Sequence, residues 1–338
     1  ETVSPLTGAS NTARPRQLLS TTVTRLEQQA HQFMLHRLSA ATRRTYSSGQ
    51  SRYRLFCQQH RLTPVPVTPR LATLFVTRLA MEGLVYKSIK VYLAAIVSLN
   101  AETGHTEDIA SNNMLRHVLQ GIKRDHGDPI RPRLPITMTL IRKIKNALRS
   151  HPAIHVNDKL MLWSAFTLAF FGFLRVSEFT AISASTFDND GTLLGSDVQL
   201  TDDLIVTIKA SKTDPFRRGQ VVTIAPTQSS ICAVRAFRNY NPAALNAPAF
   251  CFTNGKFLTR QAVTYHLRDL LLRAEVPNVS NYASHSFRSG AATTAAEANL
   301  PDWLIKVLGR WRSDAYQLYI TTPTDIIRKV PATLAQHR

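Results

Sequence analysis

The sequence predicts a mainly α-helical protein of two domains, the second carrying a small antiparallel β-sheet. Three observations predict this. Apolar residues recur at helical spacing from about Ser20 to Lys123. The run Asp125-His126-Gly127-Asp128-Pro129-Ile130-Arg131-Pro132-Arg133-Leu134-Pro135 then breaks the pattern, with three prolines and no periodicity. Beyond it, further helical segments flank two runs of strict alternation, Leu204-Ile205-Val206-Thr207-Ile208 and Gln220-Val221-Val222-Thr223-Ile224. At 338 residues the chain is long enough to bury two separate cores.

In chain order, residues 1–19 are rich in Ser, Thr, Pro and Arg without an apolar period, and read as a flexible leader. Residues 20–125 form the all-helical domain. Its first helix carries Leu26, Phe33 and Leu38 on one stripe. The second, 42–60, sets Tyr46, Tyr53 and Phe56 on one face with Arg43, Arg44, Arg52 and Arg54 around them, and Pro64, Pro66 and Pro69 end it. Helices at about 70–82, 87–102 and 111–123 complete this domain, and 126–136 is an extended linker. In the second domain, 137–338, Thr137 or Thr139 caps a helix at 139–149, and a helix at 157–172 leads to Arg175. The loop between the two strands holds Lys212, Thr213, Arg217, Arg218 and Gly219. Pro301 suits the first turn of a helix ending at Gly309. Ser313 and Asp314 open a short helix with Tyr316 and Tyr319, and 321–338 is a C-terminal tail.

Composition narrows the function. Hydrophobic residues make up 44% and charged residues 19%, which is a globular balance. The formal charge is +19, spread along the chain rather than collected in one tail, as suits a long basic surface facing a polyanion. Cys57, Cys232 and Cys251 lack any C-x-x-C spacing, which argues against a disulfide scaffold, a zinc ribbon or an iron–sulfur site. His151 and His155 lack the Glu of a zincin helix and read as surface residues. The apolar run 160–174 is shorter than the ~20 residues that span a bilayer and contains Ser164 and Thr167, so it reads as a buried helix. No signal peptide is visible; the chain opens on Glu1, compatible with a segment of something longer.

The chemistry-bearing residues are dispersed. Arg175 lies in an apolar run with Glu178 three residues on; the pair is either an ion pair or a carboxylate orienting a guanidinium toward phosphate. Lys212 on the hairpin loop is either solvated or a proton donor, with Lys209 the competing lysine. His285 and Arg288 are one helical turn apart, at the start of a small-residue segment, Gly290-Ala291-Ala292-Thr293-Thr294-Ala295-Ala296, that permits close packing. Tyr316 and Tyr319 are either core or nucleophile. Together these side chains supply phosphate clamps, a proton donor, a proton acceptor and a nucleophile, enough for a tyrosine to attack a phosphodiester without a metal.

This set resembles the tyrosine recombinase (phage-integrase-type) family, whose pattern Arg…Lys…His-x-x-Arg…His/Trp…Tyr reads here as Arg175, Lys212, His285, Arg288, Trp311 and Tyr319. The segment Ser39-Ala40-Ala41-Thr42-Arg43-Arg44-Thr45-Tyr46 resembles the first helices of that family's core-binding domain, so the resemblance spans about 20–325. The wording Leu308-Gly309-Arg310-Trp311-Arg312-Ser313-Asp314-Ala315-Tyr316 looks most like recombinases of eukaryotic mobile elements of the DIRS, Ngaro and Crypton kinds. One departure stands out: Arg310 intervenes between Gly309 and Trp311. Either Trp311 fills the His/Trp role one residue closer to Tyr319, or Arg310 occupies the slot; Trp311 is preferred for its indole donor.

The resemblance implies a helical core-binding domain and a mixed catalytic domain that clamp duplex DNA. It implies attack by Tyr319, phosphate stabilisation by Arg175 and Arg288, proton acceptance by His285 and leaving-group protonation by Lys212. It calls for no metal, nucleotide or redox cofactor. Arg43, Arg44, Arg52, Lys87, Arg217 and Arg310 are assigned to DNA contacts. The expected partner is a double-stranded recombination site, bound by a homo-tetramer on synapsed DNA and a monomer or weak dimer otherwise, with no membrane and, in a eukaryotic host, in the nucleus. A type IB topoisomerase-like enzyme, or a non-catalytic DNA-binding protein derived from a recombinase, stands as the alternative.

Overall fold

The computed structural model describes residues 15–127, 133–211, 214, 218–242 and 244–314, with Gln317, Arg328 and Pro331. The chain divides into two compact units, residues 1–130 and 131–338. The fold is mainly helical with a three-stranded antiparallel sheet.

The first unit holds α1 (Pro15–His36), α2 (Ala40–Gln59), α3 (Pro69–Met81), α4 (Tyr86–Glu102) and α5 (Asn113–His126). Three of these starts follow from capping side chains. Ser39 accepts from the Thr42 amide at 3.2 Å, Thr68 from Leu71 at 3.3 Å with Pro69 next, and Asn112 from Leu115 at 3.1 Å. α2 lies close on α4 because Gly49 has no Cβ; one placed there would come within 2.9 Å of the Ala95 Cβ. Of the predicted α2 stripe, Tyr53 and Phe56 are buried, their ring centroids 5.2 and 5.6 Å from that of Phe75 on α3, while Tyr46 is half-buried. The Tyr53 hydroxyl donates to the Pro64 carbonyl at 3.0 Å, so burial of the ring leaves no stranded polar end. Two expectations differ. α1 begins at Pro15, inside the stretch read as a leader, with proline at a helix start where its missing amide is harmless. Leu26 and Phe33 of α1 are 64% and 65% exposed, so its apolar stripe is not part of the first unit's core.

The second unit is built around α7 (Val156–Phe171), where Met161, Leu162, Ala165, Phe166, Leu168 and Ala169 are fully buried. The apolar run is a core helix, as its length predicts. Around it pack α6 (Met138–Ser150), α8 (Ala233–Tyr240) and α10 (Ser286–Glu297), with the Phe166 and Phe287 rings stacked at 4.9 Å. α9 (Arg260–Arg273) packs on α6, and α11 (Asp302–Leu308) on α10. The sheet runs β1 (Val198–Leu200), β2 (Leu204–Ile208), β3 (Gln220–Ile224), with Val206 opposite both Val198 and Val222. β1 escaped the sequence reading because three residues are too few for alternation to register. His151, read as a surface residue, is buried instead: its Nε2 lies 2.8 Å from an Asp269 carboxylate oxygen, which satisfies the ring away from water.

One strap fixes the start of α10. The Leu134 amide donates to the Asn281 carbonyl at 3.1 Å and the Ile136 amide to the Ser286 carbonyl at 2.9 Å. A Cβ at Gly290 would stand 2.0 Å from the Ile136 carbonyl oxygen, so only glycine admits this approach. The small-residue helix is thus small where backbone meets backbone.

Candidate active site

α7 stops at Gly172, and Phe173 takes a left-handed turn (φ 50°) before Arg175 starts a short 3-10 turn over Val176–Glu178. Arg175 therefore stands beyond the helix rather than at its end. This loop carries the two sides of one ion pair. Arg175 Nη1 donates to Glu178 Oε1 at 2.9 Å and its backbone amide to Oε2 at 2.8 Å. The Glu178 side chain is fully buried. Burial opposes its ionisation, but Arg310 and then Arg175 outweigh it and hold the carboxyl below the usual carboxylate range.

Arg175 also donates to the Ser211 hydroxyl at 3.0 Å, which ties it to the start of the β2–β3 loop. That loop is pinched by the Ser211–Asp214 bridge, and Asp214 Oδ2 accepts from the Gly219 amide at 2.9 Å. Lys212 and Arg217 in this loop lie outside the described residues, as do Tyr316 and Tyr319. Lys209, the competing lysine, is occupied: its ammonium lies 2.7 Å from Asp197 Oδ2 and 2.6 Å from the Asn189 carbonyl.

His285 stands immediately before α10 and Arg288 lies in its first turn, three residues on, as their spacing predicts. Arg288 is 1% exposed, and its guanidinium donates to the carbonyls of Phe173 and Gly309. The Trp311 ring covers it, 4.2 Å from guanidinium carbon to ring centroid. His285 is half-buried, and its imidazole is pushed down to about 4 by burial and then by the charges of Arg288, Arg133, Arg175 and Arg260. It is neutral at physiological pH and retains a lone pair able to accept a proton or hydrogen bond.

Arg310 faces the loop that follows α7. Its side chain is 8% exposed; Nη2 lies 2.5 Å from Glu178 Oε2, and Nη1 donates to the Gly172 carbonyl at 3.1 Å. Burial lowers its pKa, the Glu178 carboxylate opposes that, and Arg175 adds to it. Arg310, expected as a DNA contact, is found as a largely buried partner of Glu178, with three acceptors in reach of its guanidinium. Arg52 also has a local partner. It bonds Glu82 and lies over the Tyr92 ring at 5.8 Å. Arg43, Arg44 and Lys87 are exposed.

The structure therefore brings together Arg175, Glu178, His285, Arg288, Arg310 and Trp311. Two guanidiniums, those of Arg175 and Arg310, share the Glu178 carboxylate, and the Phe173 carbonyl accepts from both Arg310 and the third, Arg288. Sequence reasoning missed Arg133 and Arg260, whose charges reach His285. Arg133 was hidden in the proline-rich stretch. Arg260 sits directly after the helix-capping Thr259, a Thr-Arg pair that marks an arginine at a helix start.

No family model matches the chain. An integrase/recombinase xerD homolog of Selenomonas ruminantium is 24% identical over 286 residues, covering 81% of this chain and 79% of that protein. A crystal structure of a lambda integrase(75-356) dimer bound to a COC' core site superposes with a TM-score of 0.57 at 16% identity, covering 87% of this chain and 93% of that one. XerH site-specific recombinase bound to palindromic difH substrate, in its post-cleavage complex, gives 0.56 at 13% identity, with coverage of 86% and 77%. The Tn1549 transposon integrase in complex with transposon right end DNA gives 0.54 at 16%, with coverage of 90% and 97%. The chain is thus similar in fold to integrases and site-specific recombinases over most of its length, and similar in sequence, at 24% identity, to an integrase/recombinase xerD homolog.

Proposed function

We propose that the chain is a site-specific DNA recombinase or integrase that cuts and rejoins strands through a covalent 3′-phosphotyrosine intermediate. The observation that carries this reading is the charge of the pocket. Arg175, Arg288 and Arg310 set three positive charges near the single carboxylate of Glu178, beside an imidazole kept neutral by burial and then by the charges of Arg288, Arg133, Arg175 and Arg260. Such an excess, largely out of water, needs an anion, and a phosphodiester with an attacking phenolate supplies one.

In the proposed reaction Tyr319 gives its proton to His285 or to solvent, and the phenolate oxygen attacks phosphorus. The bond from phosphorus to the 5′-oxygen breaks, and Lys212 protonates the departing oxygen. Arg175 and Arg288 stabilise the charge that builds on the non-bridging oxygens, where donors act most strongly. The phosphotyrosine ester keeps the bond energy, so a 5′-hydroxyl from another strand reverses the step and joins the new partner. An ordinary tyrosine titrates near ~10; the surrounding guanidiniums favour its anion. Trp311, lying on Arg288, holds that guanidinium and shields it from water.

In this proposal residues 20–125 are the core-binding domain and 137–338 the catalytic domain, joined by 126–136, and both grip duplex DNA. The lambda integrase relative is a dimer on its core site, which supports assembly of subunits on paired sites; a homo-tetramer on synapsed DNA follows if two such pairs meet. The wording of 308–316 supports a eukaryotic mobile element as the source and hence a nuclear site of action.

The test is a nicked suicide duplex taken from the termini of the element that encodes the chain, followed by a denaturing gel. The unmodified protein is expected to leave a covalent adduct on Tyr319, and Tyr319→Phe to bind without one. Relaxation of supercoiled DNA with no site requirement would point to a topoisomerase-like enzyme. Binding with no adduct would point to a non-catalytic clamp.

A further inference from the structure

We propose that Arg310 is a positioning residue: it fastens the turn leading to Tyr319 onto the loop that presents Arg175, through the Glu178 carboxylate both arginines share. The inference rests on the recombinase reading and concerns the residue by which this chain departs from the family pattern.

Arg310 adopts φ 54°, a left-handed conformation unfavourable for a residue with a Cβ. The turn is held all the same, from both sides. Its Nη2 is shared between Glu178 Oε2 at 2.5 Å and the Phe173 carbonyl at 3.4 Å, and Nη1 donates to the Gly172 carbonyl at 3.1 Å. These acceptors all lie on the loop that follows α7. The fork of a guanidinium reaches several of them at once; a lysine ammonium, on one flexible stem, does not reproduce that geometry.

The turn has consequences on each flank. On one side, Gly309 gives its carbonyl to Arg288. On the other, the Trp311 ring folds back so closely over Gly309 that a Cβ there would lie 1.6 Å from a ring carbon, and it covers Arg288. A residue inserted between Gly309 and the tryptophan thus does not displace the tryptophan from the site; it turns the chain so that the ring still lands on Arg288.

Glu178 explains why the effect reaches Arg175. Its two oxygens are divided: Oε1 takes Arg175 Nη1, and Oε2 takes the Arg175 amide and Arg310. With Arg310 removed, a fully buried carboxylate faces a single guanidinium and is drawn wholly toward it, shifting the Arg175 head away from its bond to Ser211. One further donor, the Arg310 Nε, is buried with no hydrogen-bond partner. The guanidinium is therefore held through Nη1 and Nη2 alone.

The experiment measures single-turnover adduct formation and DNA dissociation constants for Arg310→Met, Arg310→Lys, Glu178→Gln and the double variant Arg310→Met/Glu178→Gln, on the nicked duplex that the unmodified protein cleaves. Misplacement of a group by about 1 Å costs roughly 100-fold in rate, so Arg310→Met is expected to lose about that much while its DNA affinity stays nearly unchanged. Arg310→Lys should fall between. The double variant should be no slower than the slower single one, because both changes break the same link. Cleavage by Arg310→Met at the unmodified rate, or single effects that multiply in the double variant, overturns the proposal. If Arg310→Met does not fold, Arg310→Lys decides: slow cleavage at unchanged affinity sustains the proposal, and unmodified cleavage overturns it. Absence of adduct from the unmodified protein overturns the recombinase reading itself, a result distinct from any failure confined to the variants.

Discussion

Arginines in the two units have the same chemistry and opposite settings. On α2 of the first unit, Arg43 and Arg44 are exposed, where counterions screen them and water solvates them. In the second unit Arg288 is 1% exposed, and the side chains of Arg310 and Arg175 are 8% and 14% exposed, each bonded to named acceptors. The first kind adds affinity for any phosphate backbone and loses it with salt. The second kind is fixed in direction, and in a pocket of low dielectric its charge is worth far more to a transition state. Net charge thus points to a polyanion; burial separates the charges that hold it from those that act on it.

Four experiments sharpen or break that comparison. The largest effect is expected in the buried set. Arg175→Ala and Arg288→Ala should slow adduct formation by ~100–1,000-fold with modest loss of affinity. Arg288→Ala also strands the Gly309 carbonyl, at a cost of about 1–3 kcal/mol, and leaves the Phe173 carbonyl only its longer bond from Arg310, so it should visibly lower the melting temperature. Equal losses in rate and affinity would erase the distinction between the two kinds of arginine.

Next is Lys212→Ala, expected to cut slowly on ordinary DNA and to recover on a duplex with a 5′-thiol leaving group, which departs without a proton. No recovery would remove Lys212 as the acid.

A smaller effect is expected from Arg43→Ala/Arg44→Ala. Each phosphate contact contributes a slope of about −0.9 in log K against log salt. The double variant should flatten that slope while leaving the cleavage rate at saturating protein intact. A slope unchanged from the parent would show that this face of α2 turns away from DNA.

The smallest concerns His285 and leaves activity untouched. Its imidazole, held near 4 against an ordinary value of about 6.5, stays neutral in the folded protein while the unfolded chain takes up a proton. Stability therefore rises with pH between about 4 and 6.5, and is lost as pH falls through that window. Titration of the His285 ring protons by NMR should give a midpoint close to 4 in the free protein, moving up when DNA adds negative charge. A midpoint at the ordinary value would mean that the four arginines do not converge on it.

Much of this was legible in the residues. The starts of α2, α3 and α5 follow from Ser39, Thr68 with Pro69, and Asn112, because capping is a local bond. The spacing of His285 and Arg288 fixed them one turn apart. What was not legible needed a tertiary partner to define it. Arg310 looked like one more surface cation until Glu178, 132 positions away, took it inward. His151 looked solvated until Asp269 bonded it, and β1 was too short to see until β2 paired with it.

By itself the sequence determined the helical periodicity, the break before the second unit, the basic excess and the order Arg175, Lys212, His285, Arg288, Tyr319, since each depends on residue type and near neighbours. Only the tertiary structure decided which cations are buried, that Glu178 serves two arginines, and that the Trp311 ring lies over Arg288. Those properties depend on desolvation and on contacts between segments from about twenty to more than a hundred positions apart, and local residue patterns do not encode either one.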